Sequence, residues 1–234
     1  MIRAIALLSF WGISILIVGP PLVIYAAVTG NVGPLYYIAT RLTRWGVLLI
    51  GVKIEVRGLE HLQAGSNYIF MSNHASNLDP PVLIPVIPGR TSVLVKKEVF
   101  RVPVLGTGMR LAELVPVDRG DHEAAIESVQ AAIKVLRKGL HMLIYPEGTR
   151  TGDGRLLPFK KGPFYLAMDS GVPVVPVTIL GTFESWPKTR FALRPGTATV
   201  VFHPPIDPHD FSDRDALMKT VVDTIASSLP PERR

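Results

Sequence analysis

Apolar positions follow two different patterns along this chain, and the change falls near residue 51. Before it stand long uncharged runs. After it, short apolar runs of strand length alternate with stripes at helical spacing. The run "AIALLSFWGISILIV" (4–18) predicts a helix. Gly19-Pro20-Pro21 then breaks it, because proline lacks an amide proton and restricts the residue before it. A second apolar piece, "LVIYAAV" (22–28), runs into a turn at Thr29-Gly30-Asn31. In the helix that follows, Leu35, Ile38, Leu42, Trp45 and Leu49 form one apolar stripe, with Tyr37, Arg41 and Arg44 on the other side. That stripe fits a helix packed on the protein's own core or one lying in a membrane interface.

From Val52 onward, "VKIEVRG" (52–58), "NYIFMSN" (67–73), "TSVLVKK" (91–97), "LAELVPVD" (111–118), "LHMLIYPEG" (140–148), "VPVVPVTIL" (172–180) and "TATVVFHPP" (197–205) read as strands. Proline inside 172–180 predicts an edge or irregular strand. Between Asp121 and Lys138, Ile126, Val129, Ile133 and Leu136 line one helix face. Asp121 caps that helix, Glu123 sits in its first turn and Gly139 follows its end. A last helix starts at Ser212, with Asp215 completing an imperfect capping box. This alternation predicts an α/β fold: a mixed, largely parallel sheet flanked by helices, with an N-terminal membrane-associated helical segment. The boundary separates membrane-anchoring helices, 1–51, from a globular domain, 52–234.

Composition sharpens the reading of the front segment. Hydrophobic residues make up 47% of the 234 and charged residues 19%, greasier than an ordinary soluble domain. The excess lies in front: no charged residue falls between Arg3 and Arg41. A cleaved signal peptide would use Arg3 and the apolar run, but no clean cleavage site follows. A full span needs about 20 apolar residues, and the break at Pro20-Pro21 leaves the first helix short of that. A bent helical hairpin buried in one leaflet fits the break. Arg3, Arg41, Arg44 and Lys53 flank it, so its face is basic, hence cytoplasmic by the positive-inside rule. The net charge of +6 suits anionic partners such as lipid headgroups. No basic stripe with interleaved aromatics points to nucleic acid. The absence of cysteine excludes disulfides, thiol nucleophiles and Cys-bound zinc.

Two stretches carry candidate chemistry. In "SNHASNLDP" (72–80), His74 stands where a strand runs out, and Asp79-Pro80 reads as a helix start with Asp79 as N-cap. Loops after strand ends bind ligands in open α/β sheets. A carboxylate folded back onto one imidazole nitrogen would leave the other free as a general base. Alternatively Asp79 only caps and His74 only bonds a carbonyl. One oxygen on the helix amides and the other on His74 would serve both. In "YPEGTRTGDGRLLPFKKG" (145–162), four glycines accompany Glu147, Arg150, Arg155, Lys160 and Lys161, a composition that suits phosphate. The Walker spacing, a G-x-S-x-G elbow, H-E-x-x-H and G-x-G-x-x-G are all missing. No metal or cofactor is therefore expected. A base without a nucleophile of its own must activate a hydroxyl brought by substrate.

Together these blocks resemble the glycerolipid acyltransferase family, specifically its lysophosphatidic acid acyltransferases. "NHASNLD" matches that family's N-H-x-x-x-x-D block. "YPEGTR" matches F-P-E-G-T-R, with Tyr145 where phenylalanine is usual. "VPVDR" and "VPVVPV" resemble two further blocks, and the order agrees from about residue 50 to 180. The resemblance implies that His74 is the base and Asp79 its orienter. It implies an acyl thioester donor, coenzyme A or acyl carrier protein, and an acceptor phosphate held by Arg150, with Glu147, Gly148 and Thr149 shaping the turn. It adds Arg119 at that phosphate and Pro173 and Pro176 in the acyl-binding region. Charge and proximity add Lys160 and Lys161. Backbone amides around Asn73 to Ser76 are candidates for oxyanion or loop support. The expected partners are the bilayer, lysophosphatidic acid and the acyl donor, with the protein peripheral or monotopic on the cytoplasmic face. Another lysolipid acceptor keeps the same chemistry. A non-catalytic lipid binder would have no use for the His–Asp pair.

Overall fold

The computed structural model describes residues 1–118 and 122–234. The uncharged front forms α1 (Ile2–Ile17) and α2 (Gly19–Thr29), which meet at a bend of 42°. Pro20 and Pro21 thus open the second helix, in the first turn where no amide is needed. The turn expected at Thr29-Gly30-Asn31 is there: Gly30, with φ of 70°, caps α2. From there α3 (Gly33–Leu49) runs back against both α1 and α2. Among the described residues, no single helix is long and apolar enough to cross a membrane, whereas α1 and α2 together are.

The stripe foreseen on α3 faces the wrong way for a core. Leu35 is buried, but Trp45 and Leu49 are each 60% exposed. The inward face is Leu35, Tyr36, Gly46 and Val47. Gly46 decides this: a Cβ there would overlap the indole of Trp11, so only glycine lets α1 approach so closely. Ala4 and Leu7 of α1 and Val47 of α3 then join the core beneath the sheet.

Among the described residues, seven strands form one sheet: β1 (Val52–Arg57), β2 (Ile69–Ser72), β3 (Thr91–Lys96), β4 (Val115–Val117), β5 (His141–Ile144), β6 (Val174–Leu180) and β7 (Gly196–Phe202), in the order β1-β7-β6-β2-β5-β3-β4. All neighbours are parallel except β6 and β7. Between them lie α4 (Asp79–Leu83), α5 (Leu105–Leu111), α6 (His122–Arg137), α7 (Gly162–Ser170) and α8 (Thr182–Ser185), with α9 (Arg214–Ser227) last. Helices cover both faces, so the central strands read as continuous apolar runs. Ile69, Met71, Met142 and Ile144 pack against α6, α7 and α9, while Phe70, Leu143 and Tyr145 face the front helices.

Three local expectations need correction. The run 111–118 is strand only at Val115–Val117; Leu111 ends α5, and the Leu114 amide closes that end on Met109 O, with Glu113 at φ 63°. The strand at 172–180, expected as an edge or irregular strand, is irregular and not an edge: β6 pairs on both sides and is buried along nearly its whole length. Its proline is tolerated because register slips beside it. Val174 faces Ile206 but Val177 faces Phe202, so the neighbouring chain carries one extra residue opposite Pro176. The last helix is capped by Asp213, not Ser212; the carboxylate accepts the amides of Asp215 and Ala216. The expected Asp121 cap lies outside the described residues.

Candidate active site

His74 stands just past the C-terminal end of β2, and the strand's last backbone contact is made by a side chain. The carboxamide of Asn73 donates to Ile179 O at 3.0 Å and accepts Ile179 N–H at 2.8 Å. It thereby extends the β6 pairing by one step before the chain turns. The next residues wrap around the Asp79 carboxylate, which is fully buried. His74 Nδ1 donates to Asp79 Oδ2 at 2.7 Å, as do the amides of Ala75 and Ser76. The Thr182 hydroxyl donates to Oδ1 at 2.6 Å. One carboxylate thus takes four donors, three on Oδ2 and one on Oδ1.

Asp79 therefore differs from the foreseen N-cap. It is the first residue of α4 and bonds none of that helix's amides. Its carboxylate reaches back over the loop it closes, and one oxygen holds both the imidazole and the loop. This fixes the tautomer: Nδ1 carries the proton facing Asp79, and Nε2 has no partner among the described residues.

The second half of the site follows β5, the neighbour of β2. Thr151 N–H donates to His74 O at 3.0 Å. The Glu147 carboxylate accepts His74 N–H at 2.5 Å and Leu157 N–H at 3.0 Å. Burial pushes its pKa up to about 7, against the downward pull of those two amides; the Asp79 charge adds to the rise. With both oxygens on backbone amides, Glu147 clasps the two loops together and is not a phosphate ligand. Gly148 turns the chain at φ 71°, and the Lys160 stem lies over it, within 3.4 Å of where a Cβ would stand. Arg150 Nη1 donates to Asn77 Oδ1, which sets the guanidinium beside the His74 loop. Thr149 is exposed in the same turn. Lys161 points elsewhere, to Asp215 at 3.7 Å. Arg119 lies outside the described residues.

The amides of His74, Ala75 and Ser76 all donate to carboxylates, and Ser76 Oγ donates to Trp186 O at 2.7 Å. The Asn73 carboxamide and Ser76 thus support the loop. Pro173 and Pro176 accept backbone bonds from Ile69 and His203. Neither lines the cavity that opens beside Asn77 and Pro80. That cavity, about 530 Å³, lies between α1–α3 and α4, β3 and α5, with Trp11, Leu22, Leu35, Val93, Gly108 and Met109 in its wall. No sequence spacing foretold it, because its walls come from four separated segments. Among the described residues no cluster of His, Asp or Glu suits a metal ion.

Residues 53–180 match the family model described as Acyltransferase, which is more than half of the chain. The chain belongs to the acyltransferase family. Curated members include the 1-acyl-sn-glycerol-3-phosphate acyltransferase of Limnanthes alba, 40% identical over 191 residues, 80% of this chain and 67% of that one. The human alpha protein of the same name is 33% identical over 159 residues, 68% of this chain and 56% of that one. Among solved acyltransferases, the crystal structure of the lysophosphatidic acid acyltransferase PlsC from Thermotoga maritima superposes with a TM-score of 0.83 at 26% identity. It covers 97% of this chain and 92% of that one. The matched span begins at Lys53 and ends at Leu180, so it holds the His74 loop, the Glu147 turn and β6.

Proposed function

We propose that this acyltransferase moves a fatty acyl group from a thioester, on coenzyme A or acyl carrier protein, to the free sn-2 hydroxyl of lysophosphatidic acid, giving phosphatidic acid. The observation that carries the reading is the His74–Asp79 pair: Nδ1 tied to a buried carboxylate at 2.7 Å, Nε2 without a partner among the described residues, and Arg150 bonded to Asn77 of the same loop. His74 Nε2 takes the proton of the acceptor hydroxyl as its oxygen attacks the thioester carbonyl. Asp79 holds the imidazole and stabilises its charge. The tetrahedral intermediate collapses, the C–S bond breaks, and the thiolate leaves with the proton from Nε2. Arg150, with Lys160, Gly148, Thr149 and Arg119, holds the acceptor phosphate. The apolar cavity takes the acyl chain, since it is a large apolar space that opens at Asn77 and Pro80, on the loop and helix that follow His74.

Membrane binding belongs to the same reading. Ile2, Ile13, Leu16, Ile17, Ile24 and Val28 are each more than half exposed, as are Trp45 and Leu49 near Arg41 and Arg44. An apolar surface of this kind, rimmed by arginine, suits one leaflet of an anionic cytoplasmic face.

The test is purified protein in nanodiscs, offered acyl-CoA and acyl carrier protein donors and a panel of lysolipids. Phosphatidic acid should form, with thiol released only when lysophosphatidic acid is present. His74→Ala should lower kcat at least ~100-fold, and Arg150→Ala should chiefly raise the acceptor KM. Undiminished turnover in His74→Ala, or preference for an acceptor lacking the phosphomonoester, would overturn the assignment.

A further inference from the structure

The ring of Tyr145 lies flat against the imidazole of His74, with centroids 4.1 Å apart and planes 21° from parallel. Strand pairing brings this about. β2 and β5 are parallel and in register at Met71 and Ile144, so the residues that follow them leave the sheet side by side. Tyr145 keeps the side of the sheet that Leu143 faces and is only 8% exposed.

His74 is otherwise held at three atoms: its amide by Glu147, its carbonyl by Thr151 and its Nδ1 by Asp79. Those bonds fix the backbone and one atom of the ring. A single bond at Nδ1 still lets the ring tilt about that bond, which sweeps Nε2 through the place where the acceptor hydroxyl must sit. Terminal torsions of this type are broad, so the plane needs an external restraint. A stacked aromatic face supplies it. A second effect appears only during reaction. When Nε2 takes the proton, the imidazole becomes a cation within ~6 Å of an electron-rich face, an attraction the neutral ring does not feel. An interaction made in the transition state and not in the ground state raises kcat and leaves KM unchanged.

We infer that Tyr145 is a positioning residue for the proton transfer: its ring fixes the imidazole plane and stabilises the charge His74 acquires. The ring does this and the hydroxyl does not. That hydroxyl is sealed from solvent and has no hydrogen-bond partner among the described residues. Burial, and then the Asp79 charge, hold its pKa well above the usual tyrosine value, so it stays neutral.

The inference rests on the acyl-transfer reading, and the wild type separates the two. If it makes no phosphatidic acid, both fall; the variants below judge Tyr145 alone. Tyr145→Leu should lower kcat ~10- to ~100-fold with both KM values within ~2-fold. Tyr145→Phe should restore kcat to within ~3-fold of wild type. Because Tyr145→Leu leaves space in a core, the same position is also filled with phenylalanines of increasing ring fluorination, which keep shape while weakening the ring face. Log kcat should fall along that series at constant KM and melting temperature. A flat series, a Tyr145→Leu enzyme with wild-type kcat, or a Tyr145→Phe enzyme as slow as Tyr145→Leu would overturn the role.

Discussion

Glu147 shows how much one side chain changes meaning once its surroundings are known. In sequence it stands among cations and glycines and reads as part of a phosphate turn. In the fold it is 3% exposed and spends both oxygens on amides of different loops. Its pKa of about 7 lies above the usual 4.5. Between those two values the folded state holds more protons than the unfolded chain. This group's contribution to stability is therefore present below about pH 4.5 and is lost as pH rises through about 7. Glu147→Gln removes the titration. The stability of wild type minus that of Glu147→Gln should fall by up to ~3 kcal/mol between pH 5 and pH 8, read from urea unfolding in detergent; a difference that grows with pH would refute it. His74 and Asp79 were legible because their partnership spans five residues and a known loop type. The partners that finish the site were not. Thr182 stands 103 residues from Asp79 and Glu147 stands 73 from His74, and only strand order brings them together. Tyr145 needed that order too: nothing in a string of letters says that the residues after β2 and β5 are neighbours.

At the scale of elements, the alternation of apolar runs read correctly as a mixed, mostly parallel sheet, because both faces of the sheet are covered and its strands are apolar throughout. Boundaries failed where backbone turns override pattern, as at Glu113. Of the two readings of the α3 stripe, the core-packed one fails for a deeper reason. Reading the apolar stripe as the buried one assumes that water lies outside. Here the buried face is chosen by close approach, Gly46 against Trp11, and the exposed one keeps Trp45 and Leu49 beside Arg44. If that exposed face meets lipid, Trp45→Glu combined with Leu49→Glu should cut partitioning into anionic vesicles ~10- to ~100-fold, since two large apolar side chains lose their burial. Melting in detergent should change little, because neither side chain packs on the core. Unchanged sedimentation with vesicles would mean that the face contacts something else.

At the scale of the whole molecule, the cavity ties the two parts of the chain into one machine. Its near wall is α4, which follows directly from the His74 loop, and its far walls are α1, α2, α3 and α5. A segment that reads as a separate anchor thus supplies about half of that cavity's lining. On the proposed reading, the front helices would both face the lipid and shape the acyl site. Gly108 of α5 tests this coupling. A Cβ there would stand 3.7 Å from Val23 and 3.9 Å from Leu35, ordinary contact distances on the cavity wall. Alanine should therefore be accommodated, and helix propensity favours it over glycine by up to ~1 kcal/mol. Leucine would project farther and occupy space that an acyl chain would otherwise fill. Gly108→Leu should then shift donor preference toward shorter acyl chains: kcat/KM for the longest saturated donors should drop ~10-fold or more, at roughly 0.8 kcal/mol for each methylene displaced. Short donors should retain their rates, since His74, Asp79 and Arg150 stand outside that wall. A donor-length series measured on wild type, Gly108→Ala and Gly108→Leu decides it. If all three give the same length profile, the acyl chain runs elsewhere and the front helices serve the membrane alone.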